Sequence, residues 1–471
     1  MTHAPDPTPP VNAASRRRVC ALLLGIFAAT LVVHIRSLVA PALRYDDFVI
    51  VEQSLTWAEA RANLWVPVNE HCWPVFRVAT WAVAWAAGGA ANLPFACALA
   101  VRLMLLGTVA LVYRFVARER GHPFYGLVGA AVFGVTAVDQ EAVFWYAAAP
   151  AVGAAAFTLA ALLGAQSWVM RRSTVGLVGA CMWSFLAPGW YAGGVLTGPL
   201  CALYLWNAGR RAAAAAPLAG TLAYLVVALS LSGDRILHAD HHGGRTTAEA
   251  FDPLSGAVTT GRAVVDNLAL GSVGVFGFTC PPLVAAVGCV LVLVLSAWWW
   301  RRAPRRDLVV LGVAFVVLHF GLVYGARAAW PYDTVLRGWS RYNLFPWLGV
   351  VLALVGGLRW LGGSDSAAGV TPREARLLGV MILSLMAANL PRGIVGTPPP
   401  EPGQADALAR VDEVDVRCRV VGISPTAARG VLEPLWMPGD RGFSTWRLLR
   451  GGPVVRDRTD DEVRALLAVE N

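Results

Sequence analysis

The chain has 471 residues, of which 56% are hydrophobic and only 15% charged, with a mean hydropathy of +0.55. Soluble proteins of this length carry about 25% charged residues, so a soluble globular class is excluded and a bundle of membrane helices is expected. The net charge of +9 is not a nucleic-acid signal, because the Arg residues fall in short clusters between apolar runs, where topology signals lie.

Every one of the 39 basic residues is Arg. A chain without Lys has neither a Schiff-base lysine nor a phosphate-loop motif, which argues against an ATP-driven pump. The eight Cys are single and no Cys-x-x-Cys pair occurs, which excludes a zinc ribbon or a thioredoxin-like centre. Cys72 and Cys418 lie in polar segments expected on one side of the membrane, and whether they pair is left open.

Residues 1–18 form a cytoplasmic tail ending in Arg16, Arg17 and Arg18, followed by an apolar run over 19–40. Basic residues before the first span hold the N-terminus inside, and a run this long is a retained anchor rather than a cleaved leader. Further spans are predicted at 93–116, 123–138, 150–170, 175–187, 191–206, 212–231, 282–300, 308–324, 344–361 and 377–390. Alternate connections then carry Arg118 and Arg120, Arg171 and Arg172, Arg210 and Arg211, Arg301, Arg302, Arg305 and Arg306, and Arg373 and Arg376. All of these fall where the positive-inside rule wants them.

The outward segments are 41–92, 139–149, 232–280, 326–343 and the tail from 391. The first is long enough for interfacial helices at 57–65 and 75–87, with Trp57, Trp65, Trp73, Trp81 and Trp85 at headgroup depth. A linker, 391–403, precedes a small mixed α/β domain, 404–471, with a strand at 414–423 and a helix near 460–469. The expected fold class is therefore an all-α polytopic membrane protein of about eleven spans, 19–390, with a small non-cytoplasmic C-terminal domain. It is placed in a bacterial inner membrane, with its functional loops on the non-cytoplasmic side.

Three polar clusters emerge on that side. Arg44-Tyr45-Asp46-Asp47-Phe48 follows the first span, and two adjacent carboxylates there can supply a general base or hold a divalent cation such as Mg or Mn. The plainer reading is that the acidic pair stops a helix at the water boundary. Asn69-Glu70-His71-Cys72-Trp73-Pro74 continues the same loop, and Asp139-Gln140-Glu141 closes the third span. A fourth cluster, His238-Ala239-Asp240-His241-His242, has metal-ligand chemistry, but its flanking glycines favour a solvated loop. Asp266 and Asn267, in an apolar stretch, either line a cavity or cap an interfacial helix.

Together these residues resemble the GT-C superfamily of membrane glycosyltransferases, which use polyprenyl-phosphate sugars. The acidic pair Asp46-Asp47 stands in the first outer loop, as in that family. His71-Cys72-Trp73-Pro74 is similar to its His-x-x-Pro element. Glu141-Ala142-Val143-Phe144-Trp145 is similar to the Glu-Ala-Val-x-Trp element of the O-mannosyltransferase-like branch, and Arg341-Tyr342 to a late outer Arg-Tyr. The match covers the first 150 residues in detail and the remainder by topology. It departs at Ala137-Val138, where the family often has His-Pro, and at Ala187-Pro188-Gly189-Trp190, where it often has Lys-Glu.

The resemblance implies an inverting transfer of sugar from a polyprenyl phosphate to an acceptor hydroxyl whose identity is open. Asp46 or Asp47 would act as base, and Arg337 or Arg341 would face the leaving phosphate. Glu70, His71, Asp139, Glu141 and Tyr342 would bind substrate. The partners implied are the lipid-linked sugar and the bilayer, with no nucleic acid. The alternative is a transporter, lipid flippase or assembly factor sharing only the scaffold. The position of the ionisable residues argues against it, since they gather at the outer boundary; the mid-span exceptions are His34, Arg102 and His319.

Overall fold

The computed structural model describes residues 13–39, 41, 43, 46–68, 71–88, 92–237, 240–241, 245–246, 252–269, 282–327, 340–359 and 369–395. The expected C-terminal domain, with Cys418, lies outside the described residues. A helix forms at each of the eleven predicted runs. In chain order they are α1 (Ala13–Val33), then, beyond the first loop, α6 (Leu93–Arg120), α7 (Pro123–Gly134), Pro150–Arg171, Thr174–Leu186, Thr197–Asn207, Ala215–Leu237, Pro282–Arg302, Arg306–Ala326, Leu344–Gly357 and Pro372–Val395. The first loop itself contributes α2 (Arg36–Val39), α3 (Asp46–Glu52), α4 (Trp57–Ala62) and α5 (Pro74–Ala87).

Five of the helices are long and apolar enough to cross a membrane: Leu93–Arg120, Tyr146–Arg171, Ala212–Ile236, Arg306–Ala326 and Pro372–Arg392. Leucine and valine side chains stand exposed along the outer faces of Ala215–Leu237 and Pro372–Val395. Such surface is costly in water and satisfied by lipid.

The predicted third span is shorter than expected. Its helix, Pro123–Gly134, has 12 residues, which at ~1.5 Å per residue reaches ~18 Å, against a hydrocarbon core of ~30 Å. The chain continues non-helically through 135–139, and that buried backbone needs partners. Two asparagines supply them. Asn389 donates to the Val135 carbonyl at 3.3 Å and accepts from the Ala137 amide at 2.9 Å, while Asn343 donates to the Val138 carbonyl at 3.0 Å. The sixth run likewise opens on a 3₁₀ turn, Ala192–Leu196, before its helix.

Neighbouring helices pack as antiparallel pairs, the closest being Arg306–Ala326 against Leu344–Gly357. Gly312 and Gly349 sit where these two cross. A Cβ on either would run into the other's carbonyl oxygen, so only glycine permits this approach.

The contacts also sort the connections by end. At one end, Arg305 of the Pro282–Arg302 to Arg306–Ala326 connection pairs with Glu119, which also accepts from Gln166 at 2.6 Å and Tyr204 at 2.8 Å. Arg120 donates to the Leu358 carbonyl at 2.8 Å. All of these lie in or beside predicted inward turns. At the other end Tyr224 donates to the Cys72 carbonyl at 2.9 Å, Asp252 donates its amide to Gly325 at 3.0 Å, and Gln140 donates to Arg392 at 2.9 Å. Cys72, Asp252, Gln140 and Arg392 belong to predicted outward segments, Gly325 borders one, and Tyr224 lies within the predicted 212–231 span. These contacts, among the described residues, join the turns around Arg120 and Arg305 at one end and the segments around Cys72, Gln140, Asp252 and Arg392 at the other.

The first loop is docked rather than loose. A capping box at Thr56 and Glu59 starts α4, and Trp57 meets Trp81 of α5 with ring centroids 5.0 Å apart. Trp57 and Trp85 are exposed, as expected of interfacial anchors. Trp73 is not: it is buried and stacks on His71 at 5.0 Å.

Candidate functional site

Residues 139–148 form the hinge of the non-arginine end. Asp139 precedes a short helix, α8 (Gln140–Phe144), and Tyr146–Ala148 make a 3₁₀ turn before Pro150 starts the next span. This stretch touches the first loop on one side and the Ser340–Asn343 turn on the other.

Toward the first loop, Asp47 is 0% exposed, and its carboxylate accepts from the Ala147 amide at 2.6 Å. The Tyr146 hydroxyl donates to Thr80 of α5 at 3.0 Å. The acidic pair is thus divided by its helix. Asp47 turns inward and ties α3 to the 3₁₀ turn, while Asp46 remains partly exposed. Asp46 is therefore the more exposed carboxylate of the two.

Toward the late turn, the Glu141 carboxylate meets the Arg341 guanidinium at 2.5 Å, with side-chain exposures of 15% and 16%. The Glu141 amide donates to the Ser340 hydroxyl at 3.0 Å, and the Arg341 amide donates to Glu141 at 3.3 Å. The guanidinium lies 4.9 Å from the ring centres of both Trp145 and Tyr342, a cation–π setting that fixes its plane. Burial lowers the Arg341 pKa, but Tyr342 and Glu141 beside it outweigh this and hold the cation firmly charged.

His71 joins this group through Tyr191. The two rings are 6.0 Å apart, and Tyr191 lies within electrostatic reach of Tyr342, Arg341 and Glu141. The Ala187–Gly189 turn, where the resembled family carries Lys-Glu, is an apolar packing element here. A Cβ on Gly189 would stand 2.6 Å from Val75 at the start of α5. Cys72, beside His71, is buried and its thiol is pushed up by that burial, so it is not a reactive centre.

Asp139 is 1% exposed, and neither of its carboxylate oxygens has a hydrogen-bond partner among the described residues. Burial pushes its carboxyl up to about 7; its own amide and the Arg392 guanidinium offset part of that. The three mid-span residues that stood out in the sequence also belong to this end. Arg102 donates to the carbonyls of Val143 in α8 and His34, and His319 stacks on Phe345 at 4.9 Å just beneath Tyr342.

Glu70, Arg337, His238 and His242 lie outside the described residues. Asp240 and His241 form a two-residue strand paired with Arg245–Thr246, and their side chains lie outside the description too. Among the described residues, no three His, Cys, Asp or Glu side chains gather as metal ligands. Asp47 already gives an oxygen to a backbone amide. Among the described residues, no third Asp, Glu, His or Cys side chain is grouped with the acidic pair.

Several contributors had no sequence signal. Tyr191, Ser340 and Arg392 belong to no motif, and the Ala147 amide acts through backbone alone. No protein-family model, no curated protein and no solved structure matches the chain.

Proposed function

We propose that this chain is an integral membrane glycosyltransferase that takes sugar from a polyprenyl-phosphate donor on the non-cytoplasmic side. In this reading the eleven helices are spans and the arginine-lined end faces the cytoplasm. The observation that carries the proposal is the convergence of three segments far apart in sequence: the first loop with Asp46 and His71, α8 with Glu141, and the turn with Arg341. A lipid-linked donor needs a cation beside the phosphate and a carboxylate beside the acceptor, both near the membrane boundary.

Asp46 takes the proton of the acceptor hydroxyl as its oxygen attacks the anomeric carbon. The bond from that carbon to the phosphate oxygen breaks with inversion, and the phosphate departs as an anion. Arg341, oriented by Glu141 and held between Trp145 and Tyr342, balances the charge that develops on it. A transporter reading wants ionisable groups at the midplane. The contacts of His34, Arg102 and His319 all run to the end where Arg341 lies, which favours the enzyme.

The test is release of sugar from polyprenyl-phosphate donors by purified protein, comparing wild type with Asp46→Asn. Turnover that disappears in the variant supports the reading. Absence of turnover in wild type across a broad panel of donors and acceptors moves the weight to a non-enzymatic scaffold.

A further inference from the structure

A second buried carboxylate, like Asp139, has no hydrogen-bond partner among the described residues. Asp266 is 5% exposed, and neither of its oxygens has a hydrogen-bond partner among the described residues. It sits on a π-helical turn, Val264–Ala269, that continues the helix Pro253–Ala263. In regular α-helix Arg262, four residues earlier, would be its natural ion-pair partner. The widened turn breaks that register, and Asp266 makes no hydrogen bond to Arg262.

The turn packs against the Ser340–Asn343 segment. That segment carries Arg341 and packs on its other side against α8. Asn343 reaches from it to the Val138 carbonyl, next to Asp139. The Arg341 segment is thus in contact with two elements that each hold a buried carboxylate, Asp139 and Asp266, to which no other described residue donates a hydrogen bond. Leaving such a group bare costs free energy unless a ligand supplies donors, and π-turns of this kind recur at functional sites.

We propose that Asp266 is a hydroxyl-binding residue of the Arg341 site, accepting hydrogen bonds from the sugar of a lipid-linked donor whose phosphate faces Arg341. This rests on the glycosyltransferase reading above and assigns the sugar-recognising side. Sugar hydroxyls are neutral donors, and a carboxylate accepts two of them at once. Three mutually close metal ligands do not occur among the described residues, so a polyol suits the residue better than a cation does.

The experiment uses the full chain in lipid nanodiscs and three probes: farnesyl-phosphoryl-mannose, farnesyl-phosphoryl-glucose and farnesyl phosphate, which has no sugar. Wild type is expected to bind at least one sugar-bearing probe about tenfold more tightly than farnesyl phosphate. Asp266→Asn is expected to lose that increment while binding farnesyl phosphate as wild type does. Its melting temperature should stay close to that of wild type, because Asn keeps the shape of the side chain. An increment retained in Asp266→Asn, or a melting temperature well below wild type, overturns the assignment and leaves the donor reading standing. Failure of wild type to bind any of the three overturns both.

Discussion

Glu141 and Arg341 are 200 residues apart in the chain, and their side chains meet at 2.5 Å beneath the rings of Trp145 and Tyr342. The pair joins the end of the broken third helix to the turn before Leu344–Gly357. It therefore orients the cation and locks two halves of the bundle together.

Replacing Arg341 tests both roles. Arg341→Ala is expected to reduce transfer on the order of a hundredfold, as removal of a preorganised charge-stabilising donor does. Arg341→Lys should recover only a small part of this, because an ammonium lacks the planar fork. A double-mutant cycle of thermal stability with Glu141→Gln should return a coupling of about 1–3 kcal/mol; additivity would mean that the pair holds nothing together.

The two aspartates of the first loop should separate cleanly. Asp46→Asn should leave the melting temperature within error and lower turnover by roughly 10²–10⁴. Asp47→Ala strips the acceptor from the buried Ala147 amide and should destabilise by about 1–3 kcal/mol. If Asp47→Ala is as stable as wild type, the anchoring role of Asp47 is wrong.

At the opposite end, Glu119 gathers Arg305, Gln166 and Tyr204. Glu119→Ala leaves Arg305 with Asp307 alone and takes the shared acceptor from Gln166 and Tyr204, and should destabilise by about 1–3 kcal/mol. Donor binding per folded molecule should be unchanged, since this network lies at the other end of the bundle.

Asp139 gives stability a pH dependence of definite sign. Its carboxyl is at about 7 in the folded chain against an ordinary 3.8, so between those values the folded state holds a proton that the unfolded state has lost. Stability therefore falls as pH rises from about 4 to 7 and levels off above, by up to about 4 kcal/mol if the full shift is realised. Melting curves of detergent-solubilised protein should show this slope, and Asp139→Asn should flatten it. The charged groups facing Asp139 are Arg392 and, beyond it, Glu141. An identical slope in the variant would assign the titration elsewhere.

Orientation has a direct readout. A reporter fused after Arg172 should be active only in the cytoplasm, and one fused after Asp252 only outside it. The reverse result would place Arg341 on the cytoplasmic side and remove the basis for a lipid-linked donor there.

The helices were legible in the sequence because they rest on local rules. Apolar runs of sufficient length become helices wherever backbone groups must bond internally, and arginines mark alternate connections whatever the helices do to one another. Helix length was less legible. The apolar run over 123–138 reads as one span, yet it breaks after Gly134 because Asn389 and Asn343, from distant helices, satisfy the freed backbone.

Of the site, composition and motif picked out Asp46, Asp47, His71, Glu141 and Arg341, since ionisable groups at a membrane boundary stand out against apolar sequence. Which of them are buried and which stay partly exposed was decided only by the tertiary structure. Two adjacent aspartates look alike in the chain, but a helix turns consecutive side chains by about 100°, and packing on Ala147 buried one of them. Likewise Asp266 in sequence is, with Asn267, one of two polar residues in an apolar stretch. The π-turn that separates it from Arg262 and sets it against the Arg341 segment arises from packing between elements that the sequence keeps far apart.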